Sequence, residues 1–224
     1  MTLPPSFRPS PWDSSVFGVP AYEITDPSPG ALATATRVPG HYTIRVDPLA
    51  STLALHEHGF YYCDTLIEPH CTAEHFLPFD DQEVSISKEV SLEALLAICH
   101  GAFAYGRFHR DFELPKEQAE TRYANWLVQL HGDGSVYGLL YRRELAGFVA
   151  AQGNRLVLHA VASSLRGRGL AKFLWSPVCQ DLFDQGCSEL TSSVSAANLA
   201  VVNLYASLGF RFRDSVDLYH RLTR

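Results

Sequence analysis

The stretch Leu165–Trp175, LRGRGLAKFLW, sets two arginines and two glycines directly before an apolar, helix-prone segment. Arg166-Gly167-Arg168-Gly169 falls between a strand expected over Arg155–Val161 and a helix expected to run to about Phe183. One reading is a plain strand-to-helix turn. The other is a phosphate cradle. The first N–H groups of a helix have no internal partner and can point at an anion. Glycine lets a bulky phosphate approach because no Cβ intervenes. Arg166 and Arg168 add positive charge, although adjacent positions of a tight loop rarely both face one ligand.

A second polar cluster, Arg107-Phe108-His109-Arg110-Asp111-Phe112, mixes charge with aromatic rings in an expected loop over residues 106–115. Arg107, His109 and Asp111 are the candidate substrate-binding residues, since such a loop suits a polar sugar or nucleotide. A connecting loop with ordinary salt bridges has the same composition.

These residues must be held by elements that the sequence marks in turn. The first fifteen residues, rich in Pro and Ser, read as extended. Ala21–Thr25, His41–Val46 and Phe60–Ile67 read as strands, the last closed by Glu68-Pro69, and Gly30–Arg37 and Ala50–His58 as short helices. Residues 70–82 show no period and read as a connection between domains. Ser91 caps a helix striped by Leu92, Leu95, Leu96 and Cys99, and 116–130 is a helix with Ala119, Tyr123, Trp126, Leu127 and Leu130 on one face. Ser135–Arg142, Leu145–Ala151 and Asn154–Val161 read as three strands. The helix after the arginine loop contains Pro177, which is expected to kink it, and ends at Gly186. Glu189–Val194 is a strand, Ala197–Ser207 a helix, and Phe210–Leu222 one strand or two. The order predicts an α/β protein with a central mixed sheet flanked by helices. A smaller α/β domain is expected over residues 1–80 and the larger one over 81–224. There is also an internal echo: Leu53–Glu68 and Leu204–Leu218 both run helix, Gly-Phe, aromatic strand. Either junctions of this kind simply look alike, or the first segment is a shortened relative of the second.

Composition narrows the class. The chain has 224 residues, 46% hydrophobic and 19% charged, with a formal net charge of −6. That balance disfavours general nucleic-acid binding, so any phosphate site must be local. The five cysteines include no CxxC pair, which points to free thiols in a reducing compartment and to no metal site. The N-terminal residues have neither the apolar core of a signal peptide nor a membrane span. A soluble, cytoplasmic protein with no membrane partner is the expectation.

Two blocks together carry a family resemblance. Arg166-Gly167-Arg168-Gly169-Leu170-Ala171 resembles the pyrophosphate loop of the GNAT superfamily of acyl-CoA-dependent N-acetyltransferases, which follows a central strand. Asn198, Tyr205 and Leu208-Gly209-Phe210 resemble that family's second block. The pair covers about a quarter of the chain, and the element order from Val84 onward agrees with the GNAT layout.

The resemblance implies acetyl-CoA as co-substrate. The loop Arg166–Ala171 would bind the pyrophosphate through backbone N–H groups. The central strand would splay from its neighbour near His159–Val161, freeing backbone groups for the pantetheine and for the thioester carbonyl. Tyr205 would be the general acid toward the leaving thiolate. Asn198 would touch the cofactor, or cap its helix. The general base stays unassigned: the strand Arg155–His159 carries no acid, and His159, His109 with Asp111 acting through water, or no dedicated base all remain open. A closer resemblance, to the TDP-fucosamine acetyltransferase group, rests on three short motifs. They are Pro11–Val19, Gly59-Phe60, and Arg107–Asp111 followed by Tyr123 and Trp126. It implies a nucleotide-linked amino sugar as acceptor. Transfer to a protein N-terminus, a polyamine or an antibiotic is the alternative within enzymes, and a non-catalytic acyl-CoA sensor the alternative outside them. The expected partner is a small-molecule amine, and sheet edges with apolar surface would support a homodimer.

Overall fold

The computed structural model describes residues 4–224. In chain order the elements are β1 (Phe7–Pro9), α1 (Pro11–Phe17), β2 (Ala21–Ile24), α2 (Pro29–Ala35), β3 (Gly40–Val46), α3 (Leu53–Glu57) and β4 (Tyr61–Thr72). There follow β5 (Val84–Ser87), α4 (Leu92–Cys99), α5 (Arg107–Arg110), α6 (Lys116–Gly132), β6 (Val136–Tyr141), β7 (Glu144–Gln152) and β8 (Arg155–Val161). The chain closes with α7 (Ala171–Asp184), β9 (Glu189–Ser192), β10 (Val194–Ser195), α8 (Leu199–Ser207) and β11 (Arg211–Thr223).

The chain divides into two compact units. One takes the residues up to Leu66 together with Tyr105–Arg122 and Ser215–Arg224; the other takes Ile67–Ala104 and Tyr123–Asp214. This differs from a single cut near residue 80. The reason is strand pairing: the antiparallel partner of β3 is β11, with Val46 opposite Asp217 and Gly40 opposite Thr223. The N-terminal unit therefore cannot be completed from the first eighty residues.

In the first unit β1 is antiparallel to β2, β2 parallel to β3, and β3 antiparallel to β11. Ile24, Leu32, Tyr42, Ile44, Leu55 and Phe60 form its apolar core. The expected extended N-terminus instead contains α1. Pro11 opens this helix, Ser10 Oγ donates to Asp13 Oδ2 at 2.8 Å, and left-handed Gly18 closes it.

In the second unit the strand order is β4-β9-β8-β7-β6-β5, a mixed sheet. β4 runs on through Pro69 rather than stopping there. Proline tolerates an extended backbone and lacks only the donor, and the β9 ladder begins one residue later, at His70. α7 buries Leu174, Trp175, Val178, Cys179 and Leu182, a helical stripe whose larger members contribute about 1.5–3 kcal/mol each by leaving water. Pro177 lies inside the helix, which continues through it. Beside it Ser176 Oγ donates to Lys172 O at 2.7 Å and accepts from Phe79 N at 2.9 Å. No helix among the described residues is long and apolar enough to cross a membrane.

Candidate active site

The turn from β8 into α7 leaves a run of donors without acceptors. Gly167 and Gly169 have φ of 73° and 74°, a left-handed conformation that side chains resist, and a Cβ on either would meet nothing within 4 Å. Among the described residues, none of the backbone N–H groups from Gly167 to Lys172 has an acceptor. Leu170, at the cap position of α7, offers no side-chain acceptor, and no acid occupies the first turn. Six donors without acceptors stand beside the positive end of a helix, which is the chemistry of an anion seat. The two arginines separate. Arg166 Nε turns back to donate to Val161 O at 2.9 Å, whereas Arg168 extends into solvent.

Beside this turn the sheet opens. β8 pairs with β7 along its whole length, up to Val161 opposite Gly147. Its parallel pairing with β9 is confined to Arg155–Thr191 and Leu156–Ser192. Ala162 N donates to Ala146 O at 2.8 Å, so by alternation Leu158 and Ala160 bond toward β7. His159 and Val161 turn their backbone groups toward the open edge, where no strand among the described residues meets them.

Over that edge lies the end of α8. Asn198 caps the helix, its Oδ1 accepting from Val201 N at 3.4 Å. Tyr205 is sealed, 0% exposed, and its Oη lies 3.1 Å from His159 Nε2. The Trp175 ring meets the His159 ring edge-on, with centroids 5.3 Å apart. Burial pushes the Tyr205 hydroxyl well above the usual phenol range, with contacts to Ser192 and Trp175 working the other way. Burial likewise pushes His159 down to about 4, against a hydrogen bond with its own backbone, so the ring is neutral at pH 7. Trp175 Nε1–H is buried and, among the described residues, meets no acceptor in good hydrogen-bond geometry, although it lies near enough to the Tyr205 hydroxyl to draw its pKa down. The sequence signalled Tyr205 but not Ser192 or Trp175. Trp175 belongs to the buried stripe of α7, and nothing near Ser192 marks it.

Residues 102–210 match the acetyltransferase (GNAT) family. That match takes in just under half of the chain. Solved structures share its fold. A GCN5-related N-acetyltransferase from Sphaerobacter thermophilus superposes with a TM-score of 0.59 at 17% identity, over 84% of this chain and 61% of that one. The chain thus spans under two thirds of that relative's length. A tandem GNAT protein from the clavulanic acid biosynthesis pathway gives 0.55 at 15% identity, over 92% and 76%. A GCN5-related glucosamine N-acetyltransferase region of a fungal multi-domain β-N-acetylglucosaminidase gives 0.56 at 13%, over 81% and 25%. No curated protein matches the chain in sequence. GNAT acetyltransferases in general use acetyl-CoA as co-substrate.

The candidate substrate residues lie in the first unit and do not form an exposed loop there. Asp111 is fully buried and saturated: Tyr61 Oη (2.8 Å) and Glu113 N (3.0 Å) donate to Oδ1, while His41 Nε2 (3.0 Å) and His220 Nδ1 (2.8 Å) meet Oδ2. Burial raises its pKa, but the bonds from His220 and His41 outweigh this and hold the carboxyl far below the usual range. The trio His41, Asp111 and His220 has the residue types of a metal site, yet its spacing is that of hydrogen bonds and both carboxylate oxygens are taken. His109 is also buried, its Nε2 2.7 Å from Glu120 Oε1. Arg107 lies over the Phe108 ring. The expectation of a solvent-facing binding loop is corrected for His109 and Asp111: long-range partners fold them into the interior. The first and third motifs of the closer resemblance meet. Phe17 meets Phe108 at 5.4 Å, and Asp13 accepts from Arg122 Nε at 2.8 Å.

Proposed function

We propose that this protein transfers the acetyl group of acetyl-CoA to a primary amine of a small molecule, with a nucleotide-linked amino sugar as the acceptor class. The observation that carries the reading is the run of six unsatisfied N–H groups, Gly167–Lys172, beside the open edge of β8. In this reading those groups, with Arg168 nearby, hold the pyrophosphate. Backbone groups of His159 and Val161 hold the pantetheine and polarise the thioester carbonyl. The amine nitrogen bonds to the carbonyl carbon, the C–S bond breaks with its electron pair on sulfur, and one proton passes from nitrogen to sulfur. Tyr205 supplies that proton. Leu170 and Ala171 close the phosphate turn, and the side-chain amide of Asn198 faces the cofactor while its oxygen caps α8. The amino-sugar class is supported by the motifs at Pro11–Val19 and Arg107–Asp111. It is also in keeping with the fungal neighbour, whose name assigns it glucosamine. Arg107, less enclosed than His109 and Asp111, is the member of that motif proposed to meet the acceptor.

The test is thermal shift with acetyl-CoA, followed by mass spectrometry with TDP-linked amino sugars, glucosamine and polyamines. Stabilisation by acetyl-CoA and one acetyl added to a TDP-amino sugar are expected. Acetylation of a polyamine alone would replace the acceptor class, and stabilisation without any product favours a sensor. No stabilisation overturns the reading. Tyr205→Phe is expected to lower turnover by about 10²-fold or more while leaving CoA affinity within twofold.

A further inference from the structure

We infer that Lys172, Phe79 and Phe173 form the seat for the 3′-phosphoadenosine end of coenzyme A, with the lysine on the 3′-phosphate and the Phe79 ring under the adenine. The inference rests on the acetyl-CoA reading above. It begins from an ammonium with no acid beside it. The N–H of Lys172 is the last of the six donors of the phosphate turn. Its side chain is half-buried, with Nζ 4.2 Å from the centre of the Phe79 ring and 5.2 Å from that of Phe173. Among the described residues no carboxylate pairs with it. Arg110, Arg122 and Arg142 also lie over rings, and each of them also holds a carboxylate: Asp64, Asp13 and Glu83.

The position of the rings is built. Phe79 comes from the segment joining β4 to β5, and Ser176 ties it to α7 one turn beyond Lys172. Ser176 is buried; its Oγ accepts from Phe79 N at 2.9 Å and donates to Lys172 O at 2.7 Å. One hydroxyl thus fixes the Phe79 backbone to the turn of helix that carries the lysine. Phe79 and Phe173 meet edge to face, with centroids 5.8 Å apart. A helical side chain leans toward the N-terminal end of its helix, so Lys172 leans toward the glycine turn.

Coenzyme A brings two kinds of anion to this place. The six N–H groups match the pyrophosphate. The 3′-phosphate is a monoester with about −1.5 to −2 charges at pH 7, and it calls for a cation. Arg166 is turned back onto Val161 O, and Arg168 extends into solvent. Lys172 stands beside the turn, and a compact ammonium on a flexible stem suits a phosphate. A charge-assisted hydrogen bond is stronger than a contact with a ring that water reaches, so the lysine leaves the rings when the phosphate arrives. Its departure uncovers an aromatic face, and a purine stacks on such a face. Without ligand the lysine clamps the connecting segment; with ligand, lysine and ring read the nucleotide end.

Titration calorimetry on the full chain compares coenzyme A with 3′-dephospho-coenzyme A. The wild type is expected to bind coenzyme A about tenfold more tightly. Lys172→Met keeps an apolar stem over the rings and removes the ammonium. It should weaken coenzyme A about tenfold, leave the dephospho form within about twofold, and so bring the two affinities together. Phe79→Leu should weaken both ligands about tenfold and keep their ratio, whereas Phe79→Trp, which keeps a stacking face, should bind both within about threefold of the wild type. Equal binding of the two ligands by the wild type, or an unchanged ratio in Lys172→Met, overturns the seat and leaves acetyl transfer standing. Wild-type binding of both ligands by Phe79→Leu does the same. A lysine that serves only as a clamp would lower the Tm of Lys172→Met and leave the ratio unchanged, which also overturns the seat. If the wild type binds neither ligand, the acetyl-CoA reading falls and the seat falls with it.

Discussion

Two helix-to-strand junctions in this chain share one kind of turn and differ in the side chain that stands five residues before its phenylalanine. α3 passes through His58-Gly59-Phe60 into β4, and α8 through Leu208-Gly209-Phe210 into β11. Both glycines are left-handed, with φ of 70° and 85°. In both, the Phe N–H donates to the carbonyl five residues back: Phe60 to Leu55 at 2.9 Å, Phe210 to Tyr205 at 3.0 Å. Both phenylalanines are buried. The difference is the residue that supplies that carbonyl. Leu55 adds only methyl groups to an apolar core, whereas Tyr205 places a hydroxyl against His159. The junction is a generic way to stop a helix and start a strand. The chemistry depends on what stands five residues before its phenylalanine. The echo in the sequence is therefore explained by the shared geometry of the turn, and common ancestry is not required.

The comparison can be broken at either glycine or at either five-back position. The largest effect is expected at Gly209→Val. A Cβ there would lie 2.1 Å from the backbone oxygen of His75, which cannot swing away, at a φ that a β-branched residue resists. A loss of about 4 kcal/mol or more in urea unfolding is expected, from clash and strain together. Next is Leu55→Ala, expected to cost about 3 kcal/mol by emptying core volume. Its turnover per folded molecule should stay unchanged. Tyr205→Phe should show the reverse, losing turnover for a stability change of only about 1 kcal/mol, that of one neutral hydrogen bond. If both variants lose stability and turnover in proportion, the division between packing and chemistry fails. The smallest effect is expected at Gly59→Ala. The nearest atom to its Cβ is Arg221 Nη1 at 2.2 Å, the far end of a flexible side chain, so the cost is about 1–2 kcal/mol of left-handed strain. Equal losses at Gly59→Ala and Gly209→Val would mean that backbone conformation, and not the neighbouring atom, sets the cost.

What the sequence made legible was local. The arginine loop could be read because glycine, charge and an apolar helix stand side by side within eleven residues. α7 and α8 could be read because their buried residues recur at helical spacing. The hidden parts depend on distance along the chain. Asp111 looks like a loop acid until His41, 70 positions away, and His220, 109 positions away, close on it. His159 and Tyr205 are 46 residues apart, and neither reveals its partner. The Pro and Ser content around α1 reads as extended, although proline at a first helical position favours a helix. Pro69 reads as a stop because it cannot donate, yet β4 runs through it. The division into units was hidden for the same reason as Asp111, since β11 returns to pair with β3 only at the far end of the chain.

That return has a consequence for the order in which a ribosome delivers the parts. Thr223 Oγ1 bonds Ala35 O across 188 positions, and β3 lies between β2 and a strand that follows far along the chain. At roughly 5–20 residues per second, the early strands wait about ten to forty seconds before their partner emerges. Through that interval β3 has a bare edge on one side, and bare edges recruit strands from other chains. The N-terminal segment is thus committed early in synthesis but finished late. Its vulnerable period is set by the elongation rate and by whatever shields nascent chains, before the stability of the finished protein has any bearing.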